Sequence, residues 1–184
     1  MSLARSLLLR ASRSRWLERQ ARDRAVTRRA LRRFMPGEEL DDALAAAREL
    51  AGAELGTVFT CLGERVATVA EGERVRDHYL RVLDEIEARA LPTHISVKLT
   101  HLGLDVDRAA CARHVLALAA RAEGAGSMLW LDMEESYFVD ATLAIYRETR
   151  AAHARVGVCL QAYLHRTPDD LDALLPIAPA VRLV

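Results

Sequence analysis

The sequence predicts an α/β fold, part of a (β/α)8 barrel with about five strands, preceded by N-terminal helices. Three observations predict it. Short apolar, β-branched runs alternate with amphipathic stretches at helical spacing from residue 56 onward, a pattern that implies parallel strands joined by right-handed crossovers. The first of these strands leads into Leu62-Gly63-Glu64-Arg65, which is no phosphate cradle, and no Walker-type loop is present, so a dinucleotide-binding open sheet is disfavoured. Third, Lys98, Asp132, Gln161 and Arg182 fall at or near the carboxyl ends of four successive predicted strands. Buried parallel strands are nearly all apolar. One such residue alone reads as a solvated terminus, but four in register describe a ring at the barrel face that carries active sites.

The elements follow in order. Residues 1–54 read as an arginine-rich helical arm and residues 55–184 as five βα units. Pro36-Gly37 breaks the chain. Glu38 to Ala51 then reads as a helix, with Leu40, Leu44, Ala47 and Ala51 at helical spacing and acids in its first turn. Strands are predicted at Gly56–Cys61, His94–Lys98, Met128–Asp132, Val156–Gln161 and Ala180–Val184. The helices between them run from about Gly72 to Ala90, Arg108 to Glu123, Tyr137 to Ala152, and briefly from Pro168 to Leu175. Asp107 is placed to cap the second of these, which Gly124 and Gly126 end. Thr167-Pro168-Asp169-Asp170 looks like a helix start with Thr167 as N-cap and Pro168 at the first position.

Composition narrows the function. Of 184 residues 51% are apolar, and 26 basic side chains balance 26 acidic ones; that is neither a disordered chain nor one with a membrane-spanning run. The neutral total hides an asymmetry. Residues 1–36 hold eleven arginines against Glu18 and Asp23, a net of +9, so residues 37–184 carry −9. An Arg-rich, acid-poor segment has the composition of a mitochondrial presequence or of a nucleic-acid arm, but aromatic residues for stacking are limited to Trp16 and Phe34. No nucleic-acid partner is expected, and the favoured reading is a basic amphipathic helix that packs on the domain or rests on an anionic membrane surface. Cys61, Cys111 and Cys159 form no CxxC pair. They suggest buried thiols in a reducing compartment, so a cytoplasmic protein, peripheral at most. His94, His101 and His165 lack ligand spacing, and no metal is expected. Lys98 is the one lysine beside 25 arginines, and the 32 alanines attribute that scarcity to a GC-rich genome.

Ile95-Ser-Val-Lys98-Leu-Thr100 with Leu102-Gly-Leu-Asp105, Leu131-Asp132-Met133-Glu134-Glu135, Leu160-Gln161-Ala-Tyr163-Leu164 and Val181-Arg182-Leu-Val184 resemble, in order and spacing, bacterial monofunctional proline dehydrogenase. Phe34-Met-Pro-Gly-Glu38 is similar to that family's N-terminal helices. The resemblance covers nearly the whole chain. It implies a distorted barrel holding FAD, oxidation of L-proline to Δ1-pyrroline-5-carboxylate, and a membrane quinone as electron acceptor. It also implies roles. Lys98 would bind the proline carboxylate, Asp132 would orient a substrate-binding arginine, Met133 and Gln161 would contact the flavin, and Arg182 would sit near the flavin N5 edge. Glu134 and Glu135, which follow Asp132, are read as solvated or as capping the next helix. Tyr163 is read equally as cavity lining or as packing.

The family pattern continues past Arg182-Leu-Val184 into a Lys-Gly-Ala-Tyr segment, later strands and a final helix with paired arginines, none of which is in this sequence. Five strands do not close an eight-stranded barrel. The expectation is a fragment, a truncated product or one part of a split enzyme, inactive in isolation. Two other classes remain open: a non-catalytic βα module that self-associates through open sheet edges, and a barrel enzyme that uses Lys98 as a Schiff-base nucleophile.

Overall fold

The computed structural model describes residues 37, 39–63 and 65–184, so the expectations about residues 1–36 lie outside the described residues. The chain divides into two compact units, 1–46 and 47–184. Helix α1, Leu40–Gly52, runs across that division, with Asp41 and Asp42 in its first turn. The remaining elements belong to the second unit. They are β1 Thr57–Thr60, α2 Val69–Ala88, β2 Thr93–Lys98, α3 Arg108–Gly124, β3 Leu129–Asp132, α4 Val139–Ala152, β4 Val156–Leu160, α5 Thr167–Asp172 and β5 Ala180–Leu183. Short 3-10 turns, Ser136–Phe138 and Leu175–Ile177, lead into α4 and follow α5.

The five strands are all parallel and lie in the order β1-β2-β3-β4-β5. An order that never reverses has no topological switch point, which separates this sheet from a doubly wound one. Successive right-handed crossovers in one direction put the helices on a single face, as in a barrel wall. On that face Ile95, Val97, Leu129, Leu131, Val156 and Val158 are fully buried. Full burial of such a side chain stabilises by roughly 1.5–3 kcal/mol. Helix α2 presents Val82, Leu83 and Ile86, α3 presents Val115 and Leu118, and the two helices pack on each other.

Most boundaries differ from the sequence reading by one to three residues, and three of the differences have a clear local reason. Helix α2 starts at Val69 rather than Gly72 because Thr68 and Glu71 form a reciprocal capping box. It ends at Ala88 because Ala90 is left-handed, φ 49°. Thr167 is not the N-cap of α5; Arg166 holds that position without a side-chain bond, while the Thr167 hydroxyl donates to Gln161 O at 2.6 Å. Asp107 does cap α3, accepting from Ala110 N at 3.0 Å.

Gly72 has a specific use. A Cβ there would come within 2.8 Å of Leu102 O, so only glycine lets the loop after β2 lie against α2. That loop is also held by His114, whose Nδ1 donates to Leu102 O at 3.1 Å.

Candidate active site

The strand face opposite the helices is polar and partly open. Strand register places Thr60 beside Ser96, Ser96 beside Trp130, Lys98 beside Asp132, Trp130 beside Gly157 and Cys159 beside Arg182. Because side chains alternate, His94, Ser96, Lys98, Trp130, Asp132, Cys159 and Arg182 share this face. Lys98 and Asp132 are the last residues of β2 and β3, Gln161 follows β4, and Arg182 is the penultimate residue of β5. Four of the five residues singled out in the sequence therefore stand at one end of four adjacent strands. The fifth, Met133, is half-buried immediately beyond Asp132.

Asp132 is the hub. Its Oδ1 accepts from Ser96 Oγ at 2.6 Å and from Cys159 Sγ at 3.3 Å, and it lies 3.8 Å from a terminal nitrogen of Arg182. A partly buried carboxylate needs such donors. The neighbouring carboxylate and, above all, burial push the Cys159 thiol up to about 12, so it stays protonated and remains a donor. Ser96 is held in turn: the Tyr79 hydroxyl donates to Ser96 O at 3.0 Å and accepts from Cys61 N at 2.8 Å. Burial raises the Tyr79 phenol to about 12, so this strut keeps its proton across the working pH range.

The two cations of the face differ. The Arg182 guanidinium stacks 5.3 Å from the centroid of the Trp130 ring, a cation–π distance. The ring is fixed by a contact of its Nε1 to His94 Nδ1 at 3.4 Å and by Gly157, where a Cβ would fall 2.5 Å from a ring carbon. Lys98, by contrast, has no carboxylate within ion-pair distance among the described residues.

Sequence reasoning missed Glu134. It is neither simply solvated nor a helix cap: its carboxylate accepts from Thr100 N at 3.0 Å and Thr100 Oγ1 at 2.5 Å, and its carbonyl accepts from Gln161 Nε2 at 3.1 Å. Glu135 instead pairs with Arg65 at 3.0 Å and makes no side-chain cap. Tyr163 is exposed, at 76%. Cys61 is half-buried, whereas Cys111 and Cys159 are buried.

A separate concavity of about 330 Å³ lies between α2 and the loops after β1 and β2, lined in part by Cys61, Arg74, His78 and His101. Burial is the main cause that lowers both imidazoles. Among the described residues, no group of three His, Cys, Asp or Glu is arranged to hold a metal ion, and no helix is long and apolar enough to cross a membrane.

A family model described as proline dehydrogenase matches residues 43–182. Proline dehydrogenase 1 of Bacillus subtilis subsp. natto is 29% identical over 158 residues, which cover 86% of this chain and 52% of that protein. Proline dehydrogenase 2 of the same organism is 29% identical over 184 residues, covering 100% of this chain and 60% of that protein. The chain thus spans between half and three-fifths of the length of these curated relatives. The crystal structure of proline utilization A (PutA) from Bdellovibrio bacteriovorus inactivated by N-propargylglycine superposes with a TM-score of 0.71 at 20% identity, over 82% of this chain and 19% of that one. That likeness is one of fold, and it agrees with the barrel-wall topology. With the family model matching most of the chain, and the polar strand ends falling inside the match, the chain belongs to the proline dehydrogenase family.

Proposed function

We propose that this chain supplies the substrate- and flavin-facing strand ends of an FAD-dependent enzyme that oxidises L-proline to Δ1-pyrroline-5-carboxylate and passes the electrons to a membrane quinone. The observation that carries the reading is the ring of Lys98, Asp132, Gln161 and Arg182 at one end of four adjacent parallel strands, in a chain of this family. FAD, when bound, supplies the acceptor for the hydride that leaves the carbon beside the proline nitrogen. The residues fit such a group. Gln161 Oε1 is a buried acceptor without a donor among the described residues, and a flavin ring N–H is a donor of the required kind.

Each residue then has a task set by its surroundings. Lys98, without a carboxylate at ion-pair distance among the described residues, takes the proline carboxylate and fixes its orientation. Asp132, with Oδ1 occupied by Ser96 and Cys159, offers its other oxygen to a cation supplied from outside these five strands. Arg182, held on Trp130, places a fixed positive charge where electron density accumulates. Met133 and Gln161 are the flavin neighbours. In the same reading residues 1–54 form an arm distinct from the βα units of 55–184. Residues 1–35 rest on the cytoplasmic face of the membrane, gaining roughly 1 kcal/mol per basic residue near an anionic surface and losing it at high salt.

The chain alone, with five strands, is expected neither to retain FAD through purification nor to oxidise proline. A yellow protein with dye-linked proline oxidation would overturn that. In the catalytically complete enzyme, Lys98→Met raises the proline KM more than it changes flavin content, and Arg182→Met alters flavin reduction. Wild-type steady-state and stopped-flow behaviour in both variants would refute the assignment. One observation favours a second reading, self-association without catalysis. Strands β1 and β5 each pair on one side only among the described residues, and Val58 and Leu183 are exposed there at 46% and 61%. A defined dimer that stays colourless in FAD supports it.

A further inference from the structure

We propose that Glu134, clamped by Thr100, is a positioning residue that fixes the side-chain amide of Gln161 so that its oxygen is the atom offered to a ligand. The chemistry leaves no choice of orientation. The atom facing Gln161 is the backbone carbonyl of Glu134, at 3.1 Å. A carbonyl only accepts, so the end of the amide turned toward it is the NH2 group. Oε1 therefore points away from Glu134, and it is buried with no donor among the described residues.

The carbonyl is held in place by its own side chain. Both carboxylate oxygens of Glu134 are engaged by Thr100, one by the backbone N–H and one by the hydroxyl, and Thr100 is 1% exposed in the loop after β2. The backbone of Gln161 is restrained as well, because Thr167 Oγ1 donates to its main-chain carbonyl at 2.6 Å. The loop that carries Glu134 thus holds the side-chain amide of Gln161 and the start of α5 holds its backbone. An unmet buried acceptor is costly, so a ligand that reaches it with a donor gains what the free chain lacks. The ligand group met at Gln161 is consequently an N–H or O–H. A carbonyl edge finds no partner at Oε1. The flavin arm of the test rests on the proposed function; the orientation arm does not.

The chain offers an unusually clear readout. It contains two glutamines, Gln20 and Gln161, and no asparagine, so an amide NH2 spectrum of 15N-labelled protein holds two pairs of signals. In the wild type, one pair, which disappears in Gln161→Leu, is expected to be dispersed and protected from solvent exchange. Thr100→Val, which removes the hydroxyl while keeping the shape, and Glu134→Ala should collapse it to the position of a free amide. Glu134→Gln, which keeps an acceptor for Thr100, should restore most of the dispersion; a role in bulk stability alone would not sort the variants this way. A dispersed Gln161 signal that survives in folded Thr100→Val and Glu134→Ala overturns the proposal.

Millimolar FMN is then compared with FMN methylated at the ring N3, which lacks that donor. FMN should shift the Gln161 pair, and the methylated form should bind about tenfold more weakly or worse. Equal shifts from both would overturn the assignment of Oε1 as the offered atom. If neither flavin shifts a signal that Glu134→Ala still collapses, the positioning stands and the flavin reading is the one that fails.

Discussion

Gly157→Ala tests whether the polar face is built around the Trp130 ring. Gly157 is buried in β4, directly beside Trp130 in the register. A methyl group there would lie 2.5 and 2.6 Å from two carbons of the six-membered ring and 2.9 Å from Met128 Cε. The methionine end can move, but the indole is held between His94 and Arg182. Overpacking of this kind costs about 1–3 kcal/mol. The lost glycine flexibility of the unfolded chain offsets about 0.4–1 kcal/mol of it. The midpoints of these ranges leave a net destabilisation of about 1.3 kcal/mol, or a fall in urea midpoint of about 0.6 M for an m-value near 2 kcal/mol/M. Urea melts followed by fluorescence in a Trp16→Phe background read Trp130 alone, since the chain has two tryptophans. Its emission should shift as the ring is pushed outward. Trp130→Leu removes the clashing carbons, so the Gly157→Ala/Trp130→Leu pair should show a coupling of about 0.5 kcal/mol or more. An unchanged or raised midpoint with unchanged Trp130 emission would refute the reasoning, because the ring would then not be fixed where Gly157 meets it.

Two further predictions rest on proton chemistry. The Glu123 carboxyl is held below its ordinary value of 4.5, first by the hydrogen bond with His153 and then by Ala154 N–H. A depressed carboxyl contributes stability that is present above the ordinary value and is lost as pH falls through the lower folded one. The stability gap between wild type and Glu123→Gln should therefore close progressively below about pH 4.5, and a gap that widens in acid would count against it. Burial pushes the thiols of Cys111 and Cys159 up to about 12, whereas Cys61 is half-buried. Native-state alkylation should modify Cys61 first and the other two only on unfolding; equal rates for all three in the folded chain would contradict the burial.

The alternation of strands and helices was legible because it is written in local periodicity, and so was the ring, since a charged residue ending an apolar run stands out one strand at a time. The support beneath the ring was not legible. Ser96 meets Asp132 across 36 positions and Thr100 meets Glu134 across 34, and only the register of β2 on β3 brings them together. A weak signal did exist, because Ser96 precedes Lys98 by two positions and Cys159 precedes Gln161 by two, the period that keeps side chains on one face of a strand. At α5 the start motif was real but its phase was off by one, because the Thr167 hydroxyl is drawn to Gln161 O instead of to the helix end. Tertiary demand at the site outranked the local capping preference there.

The two cations on this face separate by what the protein already asks of them. Arg182 spends its planar guanidinium on the Trp130 ring and, at 3.8 Å, on Asp132. Lys98 sits opposite Asp132 in the register, yet among the described residues no ion pair joins the two, while Asp132 Oδ1 is met by Ser96, Cys159 and Arg182. A guanidinium fixed by two protein partners is a scaffold charge, while an ammonium on a flexible stem with no ion-pair partner among the described residues is available to a ligand. The same asymmetry predicts opposite behaviour in the absence of any ligand. Arg182→Met removes a stacking contact and a long ion pair and should destabilise by about 1 kcal/mol. Lys98→Met breaks no ion pair among the described residues and should leave the urea midpoint unchanged or slightly raised, since an apolar stem suits a half-buried strand end better than a charge without an ion-pair partner there. A Lys98→Met variant that melts as early as Arg182→Met would mean that the ammonium is structural, and the case for it as the ligand's anchor would fall with that result.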